Sequence, residues 1–366
     1  MTAIAVLAFA PNLPTMSESS QTAFSAPQTA SEAAKPVSVV TGANGFVGSH
    51  LVDFLLDKGH AVRCLVRKSS NLRWLEGKPV EIHPVGLTDA DKLEPVLKGA
   101  DYVFHVAGVV KARTPQGYFD GNVETTRQIL TALTRTHAQE PSRLKRLLVV
   151  SSLTASGPGK PNEPVNEDMP MRPITNYGRS KKAQEELLHQ HMDKLPITIC
   201  RPPAIYGERD TEIFLYFKTY NQGLMSTIGL QDKYLSLIHV ADLVRGLYLA
   251  ATHPGAVGET YYITSKDWYS WSQIGDISRQ VFGKGALRLR LPHGLVYSVA
   301  GVAQAYAGLT KQAATLNIEK ARDLVQAYWT CDPDKAGQEL GYWSELSLKD
   351  GFQRTVDWYR AERWIK

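Results

Sequence analysis

At 366 residues, with 43% hydrophobic residues and a mean hydropathy of -0.23, the chain can bury a sizeable core as one large domain or two smaller ones. A net charge of +5, from 41 basic against 36 acidic residues with no Lys/Arg block, argues against a nucleic-acid partner. The three cysteines, Cys64, Cys200 and Cys331, are odd in number and far apart, which excludes a disulfide framework and a zinc motif; no metal is expected.

Residues 1–35, rich in Ala, Ser, Thr, Gln and Pro, read as a disordered leader. Within it, Ile4 to Ala10 is apolar but short and follows no Lys or Arg, so a secretory signal is not indicated; Met16 is an alternative start. No run reaches the roughly 18–20 apolar residues of a membrane span. A cytoplasmic protein is expected.

The organising stretch is Val37 to Phe54, VSVVTGANGFVGSHLVDF, which reads as strand, tight turn and helix. Gly42 allows the turn, Gly45 lets backbone approach a bound group, and Gly48 lets the helix pack on the strand it leaves. The N–H groups at the start of that helix then face a pyrophosphate. A second strand, Ala61 to Arg67, ends in Arg67 and Lys68, followed by Ser69, Ser70 and Asn71. In a dinucleotide fold this position lies beside the adenosine ribose, where an acid would accept from a free 2′-hydroxyl and a cation would pair with a 2′-phosphate. The cations favour NADP(H), with NAD(H) left open.

Val80 to Val85 is a third strand, before a helix capped by Thr88 or Asp89. The fourth, Asp101 to Gly108, ends in Ala107 and Gly108, small enough to leave room for a cofactor, while His105 reads as packed within it. A helix from Gln116 to Ala138 holds Asn122 near its start, and a fifth strand, Arg146 to Ser151, ends in a serine pair. After a Pro/Gly/Asn-rich loop, Thr175 or Asn176 caps a helix that carries Tyr177 and Lys181 four apart, hence on one face. A sixth strand, ITICR, follows. Five or six βα units predict a parallel sheet covered on both faces, an α/β fold. Further on, a helix starts near His239, ETYYIT reads as a strand, and His293 to Leu309 is apolar nearly all round.

A Tyr–Lys pair on one helical face can exchange a proton with an alcohol or carbonyl, the ammonium lowering the phenol pKa and also holding a nicotinamide ribose. Ser152 would hold the substrate oxygen. Among 16 tyrosines roughly one chance Y-x-x-x-K is expected, and Tyr262 with Lys266 is such a pair. It spans a strand and a turn, so Tyr177 and Lys181 are preferred.

With TGANGFVG, HVAG, VVSSLTASG, YGRSK and RPPAIYG in order, the chain resembles the extended short-chain dehydrogenase/reductases, the NAD-dependent epimerase/dehydratase family, from about Pro36 to the C-terminus. The resemblance implies a doubly wound Rossmann domain with a smaller, mostly helical substrate domain, and a homodimer. Residues 36–202 with 237–263 would form the first domain, and 203–236 with 264–366 the second. It further implies Ser152, Tyr177 and Lys181 as the catalytic triad, with Ser151 the competitor of Ser152. The phosphate loop is Gly42, Asn44, Gly45, Phe46, Val47 and Gly48, and Asn122 and Arg201 are cofactor-side positions.

Two departures stand out. Gly86 replaces the usual adenine-contacting Asp, leaving that contact to backbone around Leu87. Leu235 replaces an Arg that pairs with a sugar nucleotide's pyrophosphate, with Lys233 the nearest cation. With Arg67, these point to the branch that looks like dihydroflavonol reductases and 3β-hydroxysteroid dehydrogenases, acting on hydrophobic small molecules. A nucleotide-sugar epimerase or dehydratase with retained NAD is the alternative, and a non-catalytic dinucleotide-binding protein the third. The segment His293 to Leu309 reads first as an ordinary buried helix, and otherwise as a substrate cover or membrane-surface patch.

Overall fold

Short β-branched runs alternate with amphipathic stretches along the first half of the chain, and they fold as strands joined by helical crossovers. The structure, a computed structural model, describes residues 35–139, 142–310 and 318–366. The expected leader, residues 1–35, lies outside the described residues but for Lys35. In order come β1 (Val37–Thr41), α1 (Phe46–Asp57), β2 (Ala61–Leu65), β3 (Val80–His83), α2 (Ala90–Leu97), β4 (Tyr102–His105), α3 (Pro115–Phe119), α4 (Thr125–Gln139), β5 (Arg146–Val150), α5 (Leu153–Ser156), α6 (Asn176–His189) and β6 (Ile197–Cys200). Then follow β7 (Ala204–Tyr206), α7 (Phe214–Asn221), β8 (Leu224–Ile228), β9 (Tyr234–His239), α8 (Val240–Thr252), β10 (Thr260–Tyr261), β11 (Trp268–Ser270) and α9 (Trp271–Phe282). The chain closes with β12 (Leu287–Leu291), α10 (His293–Thr310), α11 (Ile318–Leu324), β13 (Tyr328–Trp329), α12 (Asp334–Leu340) and α13 (Leu348–Ala361).

Seven strands form one parallel sheet in the order β10-β6-β5-β4-β1-β2-β3. The order reverses between β1 and β4, and ligands of open α/β sheets bind at the carboxyl ends of the strands at such a switch point. Neighbouring residues of a strand point to opposite faces. Val40, Phe104 and Leu148 therefore meet Leu51 and Leu55 of α1 and Leu243 and Leu247 of α8, whereas Val39, Val103 and Leu147 meet Leu93 of α2, Ile129 of α4 and Leu188 of α6. This is the Rossmann doubly wound α/β arrangement.

The later elements add two small sheets, β11-β9-β13 with β7 beside β9, and β12-β8. An aromatic core that includes Phe217 and Phe352, centroids 4.9 Å apart, holds α7, α9 and α13 together. Here α10 corrects a sequence expectation. Its apolar residues do not make a buried helix: Val296 and Ala300 are buried against Ala321 of α11, while Leu295, Val299 and Val302 are 49%, 50% and 72% exposed. A helix apolar on every side has no preferred face, and packing covers one edge of this one. No described helix is long and apolar enough to cross a membrane.

The tightest constraint is at the first corner, where a Cβ on Gly48 would lie 2.1 Å from Gly42 O. Gly48→Ala is expected to cost about 1–3 kcal/mol of stability, seen as a lower midpoint in urea unfolding. Gly285→Ala, where an added Cβ meets nothing within 4 Å, should stay within about 0.5 kcal/mol of wild type.

Candidate active site

The glycine corner joins the two strands that flank the crevice. Gly42 adopts φ +66°, and a Cβ there would come within 3.0 Å of the Ala107 backbone at the end of β4. Gly45 donates to Gly42 O at 2.9 Å and caps α1 without a side chain, so the first-turn N–H groups of Phe46, Val47 and Gly48 have no side-chain acceptor from the cap. Asn44 ties the corner to the loop after β2 by donating to Asn71 O at 3.3 Å. Arg67 and Lys68 lie just past β2, both exposed and without an ion-pair partner among the described residues. Gly86 holds φ +72° while its N–H donates to Val66 O at 3.0 Å, a backbone that glycine adopts without a Cβ penalty. Leu87 is half-buried beside it. Close backbone approach, a helix start with no side-chain cap and free cations at the β2 end fit a dinucleotide that carries phosphate.

Behind this crevice runs a buried hydrogen-bond chain. Thr126 Oγ1 donates to Asn122 O at 2.7 Å and accepts from Gln184 Nε2 at 2.7 Å, so its 3.0 Å contact with His105 Nε2 must come from a protonated Nε2. His105 Nδ1 then accepts from Thr41 Oγ1 at 2.8 Å, and Thr41 accepts from the Ala107 N–H at 3.1 Å. At the other end Lys181 Nζ donates to Gln184 Oε1 and, at 2.8 Å, to Val150 O. Asn122 lies in a wide π-helical turn, Asp120–Glu124, between α3 and α4, where Oδ1 accepts from the Val109 N–H at 2.7 Å and Nδ2 donates to Ser180 Oγ at 2.8 Å. A Cβ on Gly108 would stand 3.1 Å from Asn122 Oδ1 and 3.9 Å from Lys181 Nζ. His105 is thus packed in its strand, as expected, and burial lowers its pKa to about 3.

Thr175 caps α6 by accepting from the Gly178 N–H, which sets Tyr177 in the first turn and Lys181 one turn on. Lys181 is 2% exposed, and desolvation lowers its amine to about 8 against the pull of Glu185. Tyr177 packs beside Tyr118, ring centroids 6.3 Å apart. The expected lowering of the phenol is not what the protein alone produces. Burial pushes it up to about 12, aided by the charges of Asp323 and Tyr118, and the neighbouring Ser152 hydroxyl works the other way.

Adjacent serines at the end of β5 part company. Ser151 is buried and donates to Glu185, whereas Ser152 caps α5, accepts from the Thr154 hydroxyl at 2.9 Å and engages Tyr177. Arg201 forms a buried bidentate pair with Glu185, Nη2 to Oε2 at 2.6 Å, and its guanidinium supports α6 from behind. Tyr262 is in a buried core with its hydroxyl on Ser156, while Lys266 is exposed over Trp343, so that pair does not share a face. Lys233 is buried and donates to Leu324 O at 2.6 Å. Sequence reasoning missed Gln184, Glu185 and Asp323. The first two could have been found at three and four positions after Lys181 on its own helix face; Asp323 carried no such signal.

A family model described as "NAD dependent epimerase/dehydratase family" matches residues 38–264. The chain is 31% identical to a ceramide reductase of Caulobacter vibrioides over 332 residues, 91% of this chain and 97% of that one. It is 27% identical over 320 residues, 85% and 93% of the two chains, to the 4-hydroxy-2-methyl-3-oxo-4-farnesyl-3,4-dihydroquinoline-1-oxide ketoreductase of Stigmatella aurantiaca. The solved structure of gox2253 is similar with a TM-score of 0.74 at 26% identity, covering 91% of this chain and 100% of that one.

The His105 environment generates a pH prediction. Between its ordinary value of 6.5 and about 3, the unfolded chain takes up a proton that the buried imidazole refuses, so folding stability falls as pH drops through that window. Urea unfolding of His105→Gln between pH 7 and pH 4 should show a shallower loss than wild type.

Proposed function

The chain belongs to the NAD-dependent epimerase/dehydratase family and is an NAD(P)-dependent oxidoreductase, and from that premise we propose that it interconverts a hydroxyl and a ketone on a mostly apolar small molecule. The observation that carries this reading is the Tyr177 phenol, engaged with Ser152 and one turn from the buried Lys181 ammonium, beside the glycine-lined crevice. A nicotinamide dinucleotide held there supplies or takes the hydride. Tyr177 gives or takes the proton at the substrate oxygen, and Ser152 holds that oxygen by a hydrogen bond. Lys181 orients the ribose and places positive charge near the phenol.

In this reading the first turn of α1, with Gly42, Asn44, Gly45, Phe46, Val47 and Gly48, takes the pyrophosphate. Arg67 and Lys68 take a 2′-phosphate, which favours NADP(H) over NAD(H). Backbone at Leu87 meets the adenine, Ala107 and Gly108 leave room for the rings, Asn122 braces the cofactor side, and Arg201, expected there too, acts from behind α6 through Glu185. Residues 36–202 with 237–263 form the dinucleotide domain, 203–236 with 264–366 the substrate domain, and the protein works in the cytoplasm as a homodimer.

Support for an apolar substrate comes from Leu235 and Lys233. Leucine has no charge for a diphosphate, and the buried Lys233 is engaged with a helix carbonyl. Ceramide and a farnesyl group, in the names of the two relatives, are long and apolar. A nucleotide-sugar epimerase or dehydratase would instead copurify with NAD and bind UDP or dTDP tightly.

Tyr177→Phe should lower turnover by about 10²–10⁴-fold while dinucleotide still binds, read from nicotinamide absorbance and a binding titration; full activity removes the mechanism. Arg67→Asp should weaken NADP(H) by about tenfold or more and NAD(H) far less, and equal losses would refute the phosphate role.

A further inference from the structure

α11 is anchored against the start of α6 and the strand behind it. Glu319 accepts from the Asn176 N–H at 3.0 Å, and Arg322 donates to Ile174 O at 3.3 Å. The buried Lys233 donates to Leu324 O at 2.6 Å, and the Trp329 indole donates to Asp323 O at 3.0 Å. Glu319 and Asp323 are four apart and share a helix face, the face turned to the residue before Tyr177. Asp323 Oδ1 is buried and has no hydrogen-bond partner among the described residues. Among the described residues, the exposed Lys320 forms a long ion pair, 3.9 Å, with the other oxygen, beyond hydrogen-bond reach.

A buried acceptor left unpaired is unfavourable and calls for an explanation. The explanation that fits its position is a partner that arrives with the substrate. Burial raises the Asp323 carboxyl above its ordinary range, against Lys320 and with Glu319, and its charge reaches the Tyr177 phenol. Resting on the reductase reading, we propose that Asp323 is a specificity residue that accepts a hydrogen bond from the substrate, and that the substrate is an apolar ketone bearing an O–H or N–H donor near its carbonyl. Such a site rejects the analogue without the donor because Oδ1 then stays without a hydrogen bond in the complex.

The test compares a medium-chain ketone with its α-hydroxy and α-acetamido derivatives of equal length. Wild type should prefer a donor-bearing ketone by at least about tenfold in kcat/KM. Asp323→Leu should bring that ratio close to one, mainly through KM for the donor-bearing ketone, and Asp323→Asn, which keeps an acceptor oxygen, should retain most of it. The midpoint of thermal unfolding for Asp323→Leu should stay close to wild type, since the substitution removes no hydrogen bond of the side chain and only the long ion pair with the exposed Lys320; a clear drop would assign Asp323 a structural role and overturn the proposal. A wild type without preference, or a preference that survives Asp323→Leu, also overturns it. Binding of the three ketones is followed by tryptophan fluorescence alongside turnover. Discrimination in binding without turnover supports Asp323 and removes the reductase reading, turnover without discrimination does the reverse, and neither binding nor turnover removes both.

Discussion

Lys181 puts an ammonium where water does not reach, and much of the site follows from that. Taking a charge out of water is so unfavourable that the group either loses its proton or finds acceptors. Here it finds Val150 O, at the carboxyl end of β5, and Gln184 Oε1. Gln184 in turn must place its amide N–H groups, and it does so on Thr126, which draws in Asn122 and His105. The chain ends at Thr41, the last residue before the glycine corner. A single buried cation thereby connects the helix of Tyr177, the turn of Asn122 and the strand that delivers the corner. Because each hydroxyl and amide in the line has its proton assigned by its neighbours, the geometry is stiff.

The two serines after β5 show how strand geometry assigns chemistry. Side chains of neighbouring extended residues point opposite ways. One serine must therefore face the helix packed on the sheet and the other the open crevice. Ser151 takes the first course and joins Glu185, whose carboxylate also holds Arg201. That trio packs behind α6, and removing either charge would strand the other in the interior. Ser152 takes the second course and reaches Tyr177.

What could be read from sequence was local. Glycine spacing, period-two runs and the Thr175 cap act within a few residues, so β1, α1 and the start of α6 were legible, and so were the positions of Tyr177, Lys181 and Ser152. Two kinds of feature were not. The exposure of Val299 and Val302 on α10 depends on which elements arrive beside that helix, and an apolar sequence alone does not say that only one edge is covered. Asp323 lies 146 positions after Tyr177, and its relation to the phenol depends on tertiary contacts such as those by which Glu319 and Arg322 dock α11 on residues 174–176.

The phenol and the ammonium are shifted in opposite senses by the same cause. Desolvation opposes charge on both, so Tyr177 rises to about 12 while Lys181 falls to about 8. At neutral pH the phenol therefore keeps its proton and the lysine remains largely charged. A protonated phenol beside a serine hydroxyl is ready to give its proton to a carbonyl oxygen that gains negative charge as hydride arrives. Taking a proton from an alcohol requires the phenolate first, and the buried site resists forming it. A carboxylate at Asp323 acts in the same sense as burial, since negative charge near the phenol raises its pKa further.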